Sequence, residues 1–322
     1  MSVTELLDPE LAEALAAFPG GFDPGVHLRD VNVLRLLRST PQLLEATGGT
    51  LPTDERVSVT ERAISGPAGT GTIALRIYER RVRPDLVAGV VFFHGGAFVL
   101  GDVYTEELRC LRYAAEGQCV VVSVGYRLAP EDPFPAAVDD AYTALKWTAG
   151  HASELGIDPR RLAVAGSSAG GAIAAATALK ARDADGPPLA FQLLVYPVLD
   201  DRMDTPSMRA FDSTPLWTNR SNEDMWDHYL GDGRRTADVS PYAAPARTPD
   251  VSGLPPTYVL TAELDPLRDE GIDYAQRLMA AGVPTELHNY TGACHGFDIV
   301  ATTTAIGWRA IGEQVDALAR RL

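Results

Sequence analysis

The chain has 322 residues, of which 46% are hydrophobic and 22% are charged, a composition typical of a globular protein with a large core. Its 28 basic and 43 acidic residues give a net charge of −15 at pH 7, which disfavours contact with phosphate backbones and anionic lipid surfaces. We therefore expect neither nucleic acid nor a membrane as a partner. The acidic N-terminus and the 3 cysteines without CxxC spacing predict a cytoplasmic protein with neither disulfides nor a zinc site.

Two amphipathic helices are predicted ahead of the core. The first has Leu7, Leu11, Leu15 and Phe18 at helical spacing, and the second extends from about Val31 to Ala46. Between residues 56 and 80 hydrophobic and polar residues begin to alternate, most clearly over residues 72–78. This alternation predicts an antiparallel hairpin at the edge of a sheet.

Short apolar segments then alternate with segments of helical composition, which predicts an α/β fold with a mostly parallel central sheet covered by helices on both faces. The predicted strands are Val87–Phe93, Cys119–Val124, Leu162–Ala165, Leu189–Tyr196, Thr257–Thr261 and Thr285–Tyr290. The predicted helices are Thr105–Glu116, Ala136–Thr148, Ala169–Ala181, Arg268–Ala281 and Thr303–Arg320.

The segment from Leu199 to Pro255 interrupts this alternation, because it has no strand pattern and is too long for a simple connection inside a compact domain. Its many large apolar residues favour a helical cap over a cleft, although they are also compatible with an ordinary peripheral helix. We predict cap helices in residues 1–50, the first part of the core in 51–198, a cap insertion in 199–233 and the second part of the core in 234–322.

The sequence GSSAG at 166–170 lies between a predicted strand and a predicted helix. A nucleophile elbow has this arrangement, since glycines on either side of a sharp turn let the central serine, Ser168, project from the helix N-terminus into a cleft. The other interpretation is a turn of small residues that allows close helix–sheet packing.

The sequence HGGAF at 94–98 follows another predicted strand. A tetrahedral oxyanion needs converging backbone N–H groups, and a Gly-Gly turn lets the main chain approach a substrate. Gly95 and Gly96 are therefore candidate donors together with Ala169, unless the segment is an ordinary tight turn. We expect His94 to shape this loop rather than to take part in catalysis.

A nucleophilic serine requires a base and an acid that orients the base. Asp265 and His295 each follow a predicted strand, at the edge of an α/β sheet where ligands bind. The alternative is that Asp265 is a solvated loop acid and His295 a surface histidine, with no catalytic role. Asp269 and Glu270 fall in the first turn of a helix, where we expect them to complement its dipole. Cys294 has no elbow or helix N-terminus to activate it, so we expect an inert, packed thiol.

Five motifs in order resemble the hormone-sensitive-lipase-like family of microbial esterases, within the α/β-hydrolase fold: HGGAF at 94–98, YRLAPE at 126–131, GSSAGG at 166–171, DPLRDEG at 265–271 and HGF at 295–297. The resemblance implies a Ser168–His295–Asp265 triad, oxyanion donors at Gly95, Gly96 and Ala169, and a lid built from the N-terminus and the insertion. Two positions depart from the family pattern. Ser167 stands where the family often has Asp or Thr, which leaves open what braces the elbow, and Ala97 replaces the third glycine.

The resulting hypothesis is a cofactor-free, metal-free carboxylic ester hydrolase that acts on small-molecule esters of short-to-medium acyl chains. The Gly-Gly loop favours room for bulky or tertiary alcohols, and Phe98, Phe211 and Trp217 are candidate substrate contacts. A homodimer is compatible with the sequence. Two rival classes resemble the same family: hormone receptors that only bind a ligand and lack the histidine, and dehydratases with threonine as the nucleophile. The presence of His295 argues against a receptor, and the serine at position 168 argues against a dehydratase.

Overall fold

A computed structural model describes residues 3–17, 28, 30, 33, 38–47, 49–234 and 236–322. Its strands form one eight-stranded sheet in the order β1-β2-β4-β3-β5-β6-β7-β8. Their bounds are β1 (Val57–Ser65), β2 (Thr72–Arg80), β3 (Val87–Phe93), β4 (Cys119–Gly125), β5 (Ile157–Ser167), β6 (Phe191–Val195), β7 (Thr257–Leu264) and β8 (Thr285–Cys294).

The hairpin predicted at the sheet edge is confirmed. β1 and β2 pair in antiparallel register from Val57 opposite Arg80 to Ser65 opposite Thr72, and β2 is also antiparallel to β4. Every other neighbouring pair in the sheet is parallel. The loops that follow β3, β5, β6, β7 and β8 therefore emerge at one edge of the sheet.

Helices occupy both faces of the sheet, as predicted. In the described part of the chain they are α1 (Val3–Leu6), α2 (Pro9–Ala16), α3 (Thr40–Thr47), α4 (Glu107–Ala115), α5 (Ala136–Gly150), α6 (Ala152–Leu155), α7 (Ala169–Asp183), α8 (Pro206–Ala210), α9 (Asn219–Leu230), α10 (Arg268–Ala280), α11 (Phe297–Val300) and α12 (Ala305–Arg321). Short 3₁₀ turns lie at Gly231–Gly233 and Pro245–Arg247.

The alternation of side chains along a strand divides the core into two apolar clusters. In β3, Val91 and Phe93 pack into the cluster that contains α5, α7 and α10, whereas Val90 and Phe92 pack into the cluster that contains α4 and α12. Every residue of β3 is buried, because helices cover it on both sides. This explains the uninterrupted apolar sequence of the strand.

The N-terminal region is helical, with differences from the prediction. α2 begins after Asp8, whose carboxylate accepts the N–H groups of Glu10 and Leu11, and Leu11 is fully buried. The predicted position of Phe18, and much of the segment predicted as a helix from Val31, lie outside the described residues. Within that segment Val33 is helical, and a helix extends over Thr40–Thr47.

The N-terminal region is joined to the core through Arg38. Its guanidinium donates hydrogen bonds to the carbonyl oxygens of Val99 and Ala129 at 2.9 and 2.7 Å, and it forms an ion pair with Glu131. Val99 follows residues 94–98, which we call the glycine loop, so Arg38 joins residues before the core to the end of this loop.

The segment after β6 contains α8 and α9 and no strand in its described residues. Its division into a cap, with the boundaries given above, stays a prediction. Across the described ranges, no helix combines the length and the apolar character that crossing a bilayer requires.

Candidate active site

Ser168 lies at the turn between β5 and α7, the strand–turn–helix arrangement that the sequence predicts. Its φ of 54° and ψ of −120° are unusual for a residue with a side chain. Gly170 is required here, since a Cβ would lie 2.6 Å from the carbonyl carbon of Phe93. The absence of a side chain lets α7 start against the end of β3, which supports the sharp turn at the serine.

The structure brings Ser168, His295 and Asp265 together. Nε2 of His295 is 2.9 Å from Oγ of Ser168, and Nδ1 is 2.7 Å from Oδ2 of Asp265. The other carboxylate oxygen of Asp265 accepts the N–H of Leu267 at 2.9 Å. A proton on Nδ1 donated to the carboxylate leaves Nε2 free to accept the serine proton, as a general base requires.

Two aromatic rings pack against His295. The ring centroid of Tyr196 lies 4.7 Å from that of the imidazole in an edge-on arrangement, and the centroid of Trp217 lies 5.6 Å away. Tyr196 was not among the predicted site residues, although it directly follows β6 and so emerges at the same sheet edge as Ser168 and His295. These rings restrict the positions that the imidazole can occupy.

The three predicted substrate contacts occupy different environments. Trp217 is buried beside His295. Phe98 is fully buried and stacks on Tyr229 of α9 with the ring centroids 3.8 Å apart. Phe211 lies instead beside Arg268, whose guanidinium carbon is 5.4 Å from the centroid of the phenylalanine ring. Their roles as substrate contacts stay predictions.

The prediction of Gly95 as an oxyanion donor is wrong. Its N–H donates to Oε1 of Glu106 at 2.8 Å, so its single hydrogen is already engaged with a buried carboxylate. The N–H groups of Gly96, Ala97 and Ala169 have no acceptor in the described part of the chain. Gly96 and Ala169 therefore remain candidate donors, and Ala97 takes the place of Gly95.

The glycine loop has a backbone that few residues adopt. Gly96 has a φ of 125°, and Ala97 and Phe98 have φ values of 56° and 60°. A Cβ on Gly96 would lie 2.7 Å from the carbonyl carbon of Leu100, so glycine is needed for the close approach of these two segments. The missing side chain thus makes room for Leu100 rather than directly for a substrate alcohol.

His94 precedes this loop and is buried. Its Nδ1 lies 2.7 Å from the carbonyl oxygen of Gly95, and its ring stacks on Tyr126 with centroids 4.2 Å apart. Burial lowers the pKa of His94, which favours the neutral ring. These contacts fit the predicted role in shaping the loop.

The two acids after Asp265 do more than the predicted complement to a helix dipole. Asp269 accepts the N–H of Ser207, in α8, at 2.7 Å. Glu270 is buried and accepts the N–H of Leu199 at 2.6 Å, and burial raises its pKa well above the ordinary value. Both side chains thus connect α10 to the segment that follows β6, a long-range role that periodicity does not reveal.

No cluster of three or more His, Cys, Asp or Glu side chains suited to hold a metal ion occurs among the residues described. The site chemistry that the geometry supports is nucleophilic attack by an activated serine hydroxyl.

Comparison with known proteins assigns the family. A model of the alpha/beta hydrolase fold matches residues 90–299. "Carboxylesterase NlhH" of Mycobacterium tuberculosis is 39% identical over 324 residues, covering 98% of this chain and 96% of its own. The chain belongs to the hormone-sensitive-lipase-like family of α/β-hydrolases.

Other members of the family are similar over most of their length. "Esterase LipI" of Mycobacterium tuberculosis is 40% identical over 295 residues, which cover 90% of this chain and 88% of that protein. Among solved structures, "Bacterial Heroin Esterase" has a TM-score of 0.91 and 43% identity, covering 100% of this chain and 99% of its own. The resemblance inferred from five motifs is therefore confirmed over the whole fold.

The environment of the cysteines argues against a cysteine nucleophile in place of Ser168. Cys294 of this α/β-hydrolase is adjacent to His295 but fully buried, and burial raises its pKa to about 12. Burial also raises the pKa of Cys119 to about 12 and that of Cys110 well above its ordinary value. Neutral, inaccessible thiols react slowly with alkylating reagents.

We expect iodoacetamide at pH 8 to leave esterase activity unchanged and the native protein unmodified by intact mass. The matched control is the same treatment in denaturant, which should alkylate all 3 cysteines. Alkylation of Cys294 in the native protein with a parallel loss of activity would contradict this assignment.

Proposed function

We propose that Ser168, His295 and Asp265 catalyse the hydrolysis of small-molecule carboxylic esters. Family membership makes the chain a serine carboxylester hydrolase. The single observation that supports these residues as the triad is the continuous hydrogen-bonded chain from Ser168 Oγ through His295 to Asp265, with separations of 2.9 and 2.7 Å.

In the proposed acylation step, Nε2 of His295 accepts the Ser168 proton while Oγ attacks the ester carbonyl carbon. The carbonyl oxygen becomes an oxyanion, for which the free N–H groups of Gly96, Ala97 and Ala169 are the candidate donors. His295 then gives the proton to the leaving alcohol, and an acyl-enzyme on Ser168 remains.

Deacylation uses the same groups with water as the nucleophile. His295 takes a proton from water while the water oxygen attacks the acyl-enzyme. It then returns the proton to Oγ of Ser168 as the carboxylic acid leaves. Asp265 holds the imidazole in the required tautomer and stabilises the imidazolium in both steps. Every proton is thus transferred between substrate, water and residues of the chain.

The rival functions fit the site less well. A protein that only binds its ligand has no need for an imidazole within hydrogen-bonding distance of the serine. A threonine-dependent dehydratase would need a different nucleophile at position 168. The intact chain of hydrogen bonds favours the hydrolase.

We further propose a preference for short-to-medium acyl chains and acceptance of bulky alcohols. The first part is supported by the buried ring of Trp217 beside His295, because a large ring there limits the length of an acyl group. The second part rests on the composition of the glycine loop, because Gly95, Gly96 and Ala97 carry no side chain larger than a methyl group that could fill the space of a branched alcohol.

We expect Asp265→Asn to lower kcat by about three to four orders of magnitude, since the amide can hold the wrong tautomer of the catalytic histidine. Asp269→Asn is the matched control, because it makes the same chemical change four positions later at a carboxylate that faces Ser207 and Arg268. It should leave kcat nearly unchanged, because this carboxylate makes no contact with the reacting atoms.

Steady-state kinetics and circular dichroism of both variants decide between the two acids. Equal losses, or a larger loss in Asp269→Asn, would contradict the choice of Asp265.

A panel of esters tests the substrate range. We expect p-nitrophenyl esters of roughly two to eight carbons to be hydrolysed faster than the palmitoyl ester, because closed small-ligand pockets hold a few hundred cubic ångströms. On the alcohol side, tert-butyl acetate should be hydrolysed measurably beside its isomer n-butyl acetate. A palmitoyl optimum would contradict the acyl preference, and hydrolysis of the n-butyl ester alone would contradict the alcohol preference.

A further inference from the structure

We propose that Glu106 is a positioning residue that fixes the glycine loop, hereafter also the oxyanion loop, against the nucleophile elbow. Ser167 is the residue of the elbow that Glu106 holds. The inference rests on the proposed function, but it concerns residues outside the triad. None of them touches the reacting atoms.

Glu106 lies at the turn before α4 and is buried. One of its carboxylate oxygens, Oε1, accepts two hydrogen bonds: one from the N–H of Gly95 at 2.8 Å and a short one from the hydroxyl of Ser167. Gly95 precedes the candidate oxyanion donors, and Ser167 precedes the nucleophile. A single oxygen atom thus joins the two backbone segments that must be aligned for attack.

The packing around this oxygen requires the residues that are present. A Cβ on Gly95 would lie 2.9 Å from Oγ of Ser167 and 3.6 Å from Oε1 of Glu106. Glycine at position 95 therefore leaves the room in which the serine hydroxyl meets the carboxylate. This explains Gly95 without a role in binding the oxyanion.

The second carboxylate oxygen of Glu106 is held by Arg109. Nε of Arg109 donates to Oε2 at 2.6 Å, and its Nη1 donates to Oδ2 of Asp298 at 3.1 Å. Although burial opposes its charge, the carboxylates of Asp298 and Glu106 raise the pKa of Arg109 well above the ordinary value. The cation compensates the buried anions and orients Glu106.

The far end of this network reaches the base of the triad. Asp298 follows His295 by three positions, and its Oδ1 accepts the hydroxyl of Tyr196 at 2.6 Å. Tyr196 packs edge-on against the imidazole. The network therefore connects the oxyanion loop, the elbow and a ring that restricts His295, through side chains that are all buried.

Glu106→Gln tests the proposal with almost no change in volume. A carboxamide has one oxygen, so the variant cannot accept hydrogen bonds from both Arg109 and the Gly95–Ser167 pair. We expect kcat to fall about 10- to 100-fold, less than the roughly 10²- to 10³-fold loss on removing an oxyanion donor, because here the donors are displaced and not deleted. KM should change less than about twofold. The Ki of a trifluoromethyl ketone should rise by the same factor as kcat falls, because its serine adduct carries the oxyanion.

Glu107→Gln is the matched control at the next position, the first residue of α4. Glu107 is also buried, but its carboxylate forms an ion pair with Arg76 and accepts a hydrogen bond from the hydroxyl of Tyr78, both in β2. We expect its kcat and inhibitor Ki to stay unchanged even if its melting temperature falls. A role for Glu106 in stability alone would likewise lower the melting temperature and leave Ki unchanged.

Ser167→Ala provides a second variant that removes one contact and no charge. It should lower kcat several-fold with a matching rise in Ki, and in the double variant it should add little to Glu106→Gln, since both act through one contact. Losses of kcat that add in the double variant would overturn the role of Ser167. If Glu106→Gln does not fold, Glu106→Asp takes its place in the cycle, and the same outcome decides.

Unchanged kcat and Ki in folded Glu106→Gln, or an equal effect in Glu107→Gln, would overturn the proposal. Ser168→Ala assayed in parallel separates this failure from failure of the proposed function. An inactive Ser168→Ala beside a Glu106→Gln variant with unchanged kcat and Ki rejects only the positioning role, whereas an active Ser168→Ala rejects the triad.

Discussion

The contact between the ends of β3 and β5 is the constraint on which the site depends. Side chains at Gly166 or Gly170 would collide with main-chain atoms of Phe93, and their absence lets the two strands and α7 converge. Ser168 adopts its unusual backbone conformation at this point, and the segment after β3, which holds the free N–H groups of Gly96 and Ala97, lies beside the elbow.

The parallel sheet supplies the remaining geometry. Because β7 and β8 run in the same direction as β5, Asp265 and His295 emerge at the edge where Ser168 lies. Strand positions alone are too coarse to hold hydrogen bonds of 2.7 to 2.9 Å. The buried polar side chains beneath the loops, from Glu106 through Arg109 to Asp298, add direct contacts among the segments that carry the reacting groups.

Most of the sheet, and the convergence of Ser168, His295 and Asp265 at one edge of it, could be predicted from the sequence, because the signals for both are local. Val87–Phe93 reads as a buried strand since every residue is apolar, and Ser168, Asp265 and His295 each follow a predicted strand in a loop of recognisable composition. Alternation identified the edge hairpin for the same reason. These signals lie within a few residues of the features that they predict.

The errors and omissions concern contacts between distant segments. Gly95 looks like an oxyanion donor in its local motif, and only the position of Glu106, eleven residues later, shows that its N–H is engaged. Phe211 packs beside Arg268, a contact that the sequence did not indicate, and its role as a substrate contact stays a prediction. The role of Ser167 also required the fold, because no local pattern pairs it with a glutamate 61 positions earlier.

The central claim is that Ser168 is the nucleophile, and covalent labelling tests it most directly. Diethyl p-nitrophenyl phosphate reacts with an activated serine by losing p-nitrophenolate and leaving a diethylphosphoryl group on its oxygen. After stoichiometric labelling, peptide mapping by mass spectrometry should find one such group, on Ser168, in step with the loss of esterase activity, and none on the Ser168→Ala variant. A label on Ser167 or on any other residue, or full activity in enzyme labelled at Ser168, would contradict the account.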